Sequence, residues 1–150
     1  MLDLCLAPII LAGAMLPIST DWHHSALDHS PLIEAHTCNT GLGAHARAAR
    51  NGIYTAGVDY GFTQEYRGFE FSAIPQVGLS YIDHDSHNLP ARGQYELGLQ
   101  GMVCYSHFCS SVAYLHLSNG RALGMCWSGD QCRPNIGEDL LTFTTGVKFS

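Results

Sequence analysis

The chain has 150 residues, 46% of them hydrophobic and only 13% charged, with a formal charge of −6. That is enough chain for one domain and short for two. The negative balance, with no Lys/Arg run and no RNA-binding aromatic pattern, excludes nucleic acid as a partner class. Sixteen glycines, seven tyrosines and six phenylalanines, set against so few charges, suit short strands joined by turns better than a helical bundle, so the composition points to an all-β fold.

The opening run, "LCLAPIILAGAMLPIS", is cut off by Pro17, Ser19 and Asp21 before it reaches the roughly 18 apolar residues of a spanning helix. A helical span is excluded; a strand-built span is not. The run reads in two ways over residues 1–20. It resembles the apolar core of a secretory signal, with Ala12-Gly13-Ala14 as a small-residue cleavage site, although Asp3 stands where a signal carries Lys or Arg. It also reads as a buried first strand. Residues 21–150 are then expected to form a single β-barrel domain.

Residues 17–51 carry the weakest pattern. His23, His24, His29 and His36 gather near Asp21, Asp28 and Glu34, but their spacings match no metal-ligand template, and solvated loop histidines are expected. No metal is assigned.

From Ile53 the rhythm changes. Tyr54, Ala56, Val58 and Tyr60 share one face of a period-two strand, and Thr55, Gly57 and Asp59 the other. "GFTQEYRG" reads as a turn. Phe69, Phe71 and Ala73 then alternate with Glu70 and Ser72, and the strand continues through "IPQVGLSY", where Pro75 argues for an edge or bulge. "DHDSHNLPARG" is a polar loop. Tyr95, Leu97, Leu99 and Val103, with Gly101, alternate with Glu96, Gly98, Gln100 and Met102, and near the chain end Leu141, Phe143, Thr145, Val147 and Phe149 alternate with Leu140, Thr142, Thr144, Gly146 and Lys148.

Segments of about ten alternating residues, small or polar on the second face, are the signature of an antiparallel up-and-down transmembrane β-barrel. Alternation by itself does not distinguish an outward apolar face from the inward one of a soluble barrel or sandwich. Five strands are read directly, and single-chain membrane barrels close with eight or more, so residues 1–50 must supply the others of a barrel of about eight. Of the six cysteines, Cys104 and Cys109 bracket a tight turn and Cys126 and Cys132 a short loop, so each pair suits a local disulfide in an oxidising compartment.

"YLHLSNG" carries the candidate chemistry. On a strand, His116 and Ser118 project from one face about 6.5–7 Å apart along the backbone, which places a base beside a nucleophile. A serine hydroxyl needs a base to take its proton, and the imidazole needs a carboxylate to set its tautomer. In the last strand Asp139 shares its face with Leu141 and Phe143, whereas Glu138 shares the opposite face with Leu140. If both strands turn their most apolar face the same way, Asp139 meets His116, with Glu138 as the reserve. Asn119, Asn135 and Gly137 lie in the adjoining turns, as candidates for positioning and for oxyanion stabilisation through amide or main-chain N–H groups.

"HLSN" near the end of the chain, then "PNIGED", then one closing alternating strand, resembles the outer-membrane lipid A 3-O-deacylases of the PagL type and the wider acyloxyacyl-hydrolase-like family. The resemblance spans about residues 108–150 most closely. It implies that His116 is the base, that Ser118 is the nucleophile and that Asp139 stands at the acid position, where the family pattern has Glu. It further implies a serine-type esterase that removes an ester-linked acyl chain from lipid A in the bacterial outer membrane, with lipopolysaccharide and the membrane as partners, no cofactor, and room for a homodimer. The Cys126–Cys132 segment lengthens the connection between the motif strands relative to the family, and the chain ends in Ser150 rather than an aromatic. The competing expectations are a non-enzymatic outer-membrane or ligand-binding barrel with a decayed triad, and a soluble esterase barrel.

Overall fold

The computed structural model describes residues 5, 7–18, 29–83, 93–118 and 137–149. Among them every regular element is a strand: β1 (Ile9–Pro17), β2 (Ser30–His36), β3 (Gly41–Ala49), β4 (Ile53–Tyr66), β5 (Phe69–Ile82), β6 (Gly93–Tyr105), β7 (Phe108–Ser118) and β8 (Glu138–Lys148). Each pairs antiparallel with the next, and β8 pairs back onto β1 from Ile9↔Lys148 to Pro17↔Leu140, which closes an eight-stranded up-and-down barrel.

The apolar opening run is therefore a strand, hydrogen-bonded on both sides. The barrel begins at Ile9 rather than at residue 21. Gly13, in the middle of the small triplet Ala12-Gly13-Ala14, sits where β1 crosses β8 so closely that a Cβ would collide with the carbonyl oxygen of Phe143.

The two ends of the barrel differ. At one end the strands are joined through 37–40, 67–68 and 106–107, and at the other through 18–29, 50–52, 83–92 and 119–137. We call them the short-turn and long-connection ends. The β4–β5 turn consists of Arg67 (φ 51°) and Gly68 (φ 82°), the two left-handed residues that a type I′ hairpin requires. "GFTQEYRG" is thus mostly strand: Phe62 to Tyr66 pair with Ala73 to Phe69, and only Arg67-Gly68 turns. Cross-strand pairing outweighs the weak strand preference of Gln64 and Glu65. Pro75 lies at neither an edge nor a bulge. The β4–β5 ladder breaks opposite it between Asp59↔Gln76 and Phe62↔Ala73 without changing register, so its missing N–H is not needed there.

Inside, three layers fill the lumen. Met15, Leu32, Ile53, Ile82, Leu115 and Leu140 belong to an apolar cluster at the long-connection end. Ile9, Leu11, Ile74 and Met102 pack with the cysteines of the Cys104–Cys109 disulfide at the other. Between them lies a buried polar layer centred on Arg47. Its Nε donates to Glu34 Oε2, its Nη1 to Glu96 Oε1 and its Nη2 to Gln76 Oε1, each at 2.7 Å. Gln100 Nε2 (2.6 Å) and Thr144 Oγ1 (3.1 Å) donate to the other oxygen of Glu34. Asp59 Oδ2 lies 3.2 Å from His36 Nδ1 and 3.3 Å from His45 Nδ1.

Expected to be solvated, His36 and Glu34 are instead 2% and 1% exposed. Closure of the barrel brings Arg47, Asp59 and Glu96 round them, and a buried ion is tolerated when partners of opposite charge and hydrogen bonds replace its water. Asp21, His23, His24 and Asp28 lie outside the described residues, as do the Cys126–Cys132 pair and most of the "DHDSHNLPARG" loop.

With the lumen filled, the large apolar side chains face outward. Ile33, Val58, Phe62, Leu97, Leu99 and Phe143 all stand exposed on the outer wall, with Leu97 at 61% and Phe62 at 62%. The face that alternation could not orient is the outer one. Arg47→Met is expected to lower unfolding stability by about 3–5 kcal/mol, since it strands Glu34 and Glu96 without their cation in a dry interior. Adding Glu34→Gln and Glu96→Gln should recover much of that loss, and denaturant titration of the two variants checks both outcomes.

Candidate active site

β7 and β8 alternate strictly. On β7, Cys109, Ser111, Ala113, Leu115 and Leu117 point inward, while Val112 and Tyr114 lie on the outer face with the half-buried His116 and Ser118. On β8, Glu138, Leu140, Thr142 and Thr144 are buried, and Asp139 shares the outer side with Leu141 and Phe143. The register sets His116 directly opposite Asp139 and Leu117 opposite Glu138. One step of register would exchange the two acids between wall and lumen.

His116 Nδ1 lies 2.7 Å from Asp139 Oδ1. A carboxylate only accepts, so Nδ1 carries the proton and the Nε2 lone pair is left available as a base. Asp139 reaches the ring although it is one methylene shorter than glutamate, because the two residues are directly paired across the ladder. Tyr114 Oη donates to the same carboxylate oxygen at 2.6 Å. The acid is therefore held by two donors from β7. Beyond the strand, the Asp139 carbonyl accepts the N–H of Ile18 at 2.8 Å, which ties this corner to the end of β1. Glu138 is 1% exposed and faces the lumen, away from the imidazole.

Ser118 is the last residue of β7, paired with Tyr95 of β6, on the face that also carries His116. Among the described residues no hydrogen bond joins its hydroxyl to the imidazole; the two share a wall and a strand end. Asn119 and Asn135 lie outside the described residues. Gly137 does not, and it has two reasons to be glycine. Its φ is 80°, and a Cβ there would stand 2.7 Å from the Leu117 carbonyl oxygen, 2.9 Å from His116 Cε1 and 3.2 Å from Nε2. The bare Cα of Gly137 is what lets the imidazole lie flat against the start of β8.

Further along the same wall toward the short-turn end is an open, largely apolar groove of about 510 Å³, lined by Ala12, Gly101, Val103, Val112, Phe143 and Thr145 among others. At Gly101 an added Cβ would meet nothing nearer than the Val112 carbonyl oxygen at 3.9 Å, so the backbone does not require glycine there and its effect is to keep the groove open.

Sequence reasoning did not single out Tyr114. Its signal was the period-two spacing of "YLHLS", which puts Tyr114, His116 and Ser118 on one face. The groove had no comparable signal, because it assembles from β6, β7, β8 and β1.

The chain matches no family model, no curated protein and no solved structure.

The His116–Asp139 hydrogen bond yields a direct expectation. In nitrogen-15 NMR of the imidazole, Asp139→Asn should shift the ring away from the Nδ1–H tautomer and Gly137→Ala should displace the ring and weaken the bond, whereas Glu138→Gln should leave the His116 resonances in place.

Proposed function

We propose that the chain is a serine-type esterase of the bacterial outer membrane that removes an ester-linked acyl chain from lipid A. One observation carries this reading: a carboxylate-oriented histidine and a serine share the outward, apolar wall of a closed barrel, instead of its lumen. A soluble barrel turns its large apolar face inward, while a barrel in a bilayer turns it to the hydrocarbon. An acyl chain buried in the bilayer meets such a protein only at that wall.

The chemistry follows from the pair. Ser118 Oγ attacks the ester carbonyl while His116 Nε2 takes its proton, and Asp139 stabilises the imidazolium. The imidazolium then protonates the departing sugar oxygen, leaving the acyl group on Ser118. Water activated by the same Nε2 releases the fatty acid. Main-chain N–H groups around Gly137 and the amides of Asn119 and Asn135 are the candidates for holding the oxyanion. No step calls for a metal or an organic cofactor.

The site's height in the membrane fits as well. Outer-membrane barrels keep short turns on the periplasmic side and longer connections outside. His116, Ser118 and Asp139 lie at the long-connection end, which under this proposal is the outer-leaflet side, where lipopolysaccharide resides. A rim position also limits the cost of polar groups on a lipid-facing wall, which is about 2–4 kcal/mol for a basic residue at the midplane and about 0–1 near the interface. From there an acyl chain can run down the wall into the groove beside Gly101.

Purified protein incubated with lipid A in detergent and followed by mass spectrometry tests the reading. The parent should release one ester-linked chain, and Ser118→Ala or His116→Ala should slow release by roughly 10⁴-fold or more. Intact lipid A with the parent, or undiminished release by Ser118→Ala, overturns it. Gly101→Leu, which fills the groove without straining the backbone, should reduce the rate on long-chain esters several-fold and leave a short-chain ester almost unaffected.

A further inference from the structure

The 37–40 turn does not stand away from the barrel but folds inward over the short-turn end. Asn39 is 2% exposed and its Nδ2 reaches Glu70 Oε2 and Ser72 Oγ of β5 at 3.2 Å each, as well as Cys104 Sγ of the Cys104–Cys109 disulfide at 4.0 Å. Its carbonyl oxygen accepts Thr63 Oγ1 at 2.8 Å. At Gly61 a Cβ would collide with that same carbonyl, so β4 is pared down to let the turn lie across it. The turn is a lid that abuts the buried polar layer: a Cβ at Gly43 would meet Asp59 Oδ1 at 2.6 Å, Thr37 Oγ1 at 3.0 Å and Cys38 Sγ at 3.6 Å.

The lid carries Cys38, 1% exposed, whose thiol donates to the Thr40 carbonyl at 3.0 Å. The β1–β2 ladder ends at Ile9↔His36. Cys38 lies two residues beyond His36, and its thiol has the Cys5 thiol as a side-chain partner, both cysteines being free thiols in the structure. Neither cysteine is part of the Cys104–Cys109 bond.

We propose that Cys5 and Cys38 form a second disulfide, which pins the segment before β1 to the 37–40 turn and latches that lid over the polar core. The same molecule holds Cys104–Cys109 oxidised only a lid's width away, so both pairs experience one redox environment. The oxidant is the disulfide of a dithiol oxidase or of glutathione. The Cys5 thiolate attacks one of its sulfurs to give a mixed disulfide, and Cys38 displaces the second thiol. Two thiols of the protein become one disulfide, and the oxidant leaves as two thiols carrying the two protons and two electrons. Burial and the neighbouring Cys5 thiol push the Cys38 thiol up to about 11, so little thiolate exists once the lid is shut.

Full-length protein folded in an oxidised-glutathione buffer, denatured without reductant and treated with iodoacetamide, tests this by peptide mass spectrometry. The expected result is a linked pair of peptides containing Cys5 and Cys38, with neither cysteine alkylated. Cys38→Ser should make Cys5 alkylatable and lower the denaturation midpoint relative to the parent, and the difference should largely vanish once both proteins are reduced. Alkylation of Cys5 and Cys38 in the parent, or linkage of either to Cys126 or Cys132, overturns the proposal.

Discussion

Arg47 is the constraint on which the rest of the molecule rests. A guanidinium cannot lose its proton at any ordinary pH, so once the barrel closes round it, its charge must be met inside. Glu34 from β2 and Glu96 from β6 supply that charge, and Gln76 from β5 takes a further N–H. The contacts reach across the lumen from one side of the barrel to the other, which adjacent-strand hydrogen bonds cannot do. Apolar side chains cap this layer above and below. Among the described residues these layers fill the lumen, so the candidate site is displaced to the outer wall.

That displacement explains the form of the candidate site. On an outer wall there is no cleft to converge on, so residues must be brought together by strand geometry alone. Direct cross-strand pairing does this for His116 and Asp139, and a diagonal reach does it for Tyr114. Among the described residues of the site the concession in backbone is Gly137, whose left-handed conformation leads into β8 and whose missing side chain leaves room for the ring. A site built in this way is rigid, since each member hangs on the hydrogen-bonded ladder.

How much could be read beforehand differs strand by strand. β6 and β8 were legible because leucines, valines and phenylalanines alternate there with polar or small residues, a pattern that local chemistry alone produces. β2 and β3 were not. Their outward residues include Ala35, Ala44, Ala46 and Ala48, which have little strand preference, and their inward ones are Glu34, His36, His45 and Arg47. Charge at those positions reads as solvated until the partners from β4, β5 and β6 are present to neutralise it. The stretch from Gly61 to Tyr66 likewise reads as a turn, because its polar composition is a local signal and the five rungs joining it to β5 are not.

The sequence by itself determined which residues share a face. Period-two alternation is a property of the extended backbone, so Tyr114, His116 and Ser118 were bound to lie together, and Asp139 had to part from Glu138. Which face meets the lumen was decided only by the tertiary structure, as were the closing of β8 onto β1, the fold of the 37–40 turn over the barrel's end and the groove beside Gly101. Each depends on strands distant in sequence coming into register, and no local periodicity encodes the identity of a partner strand.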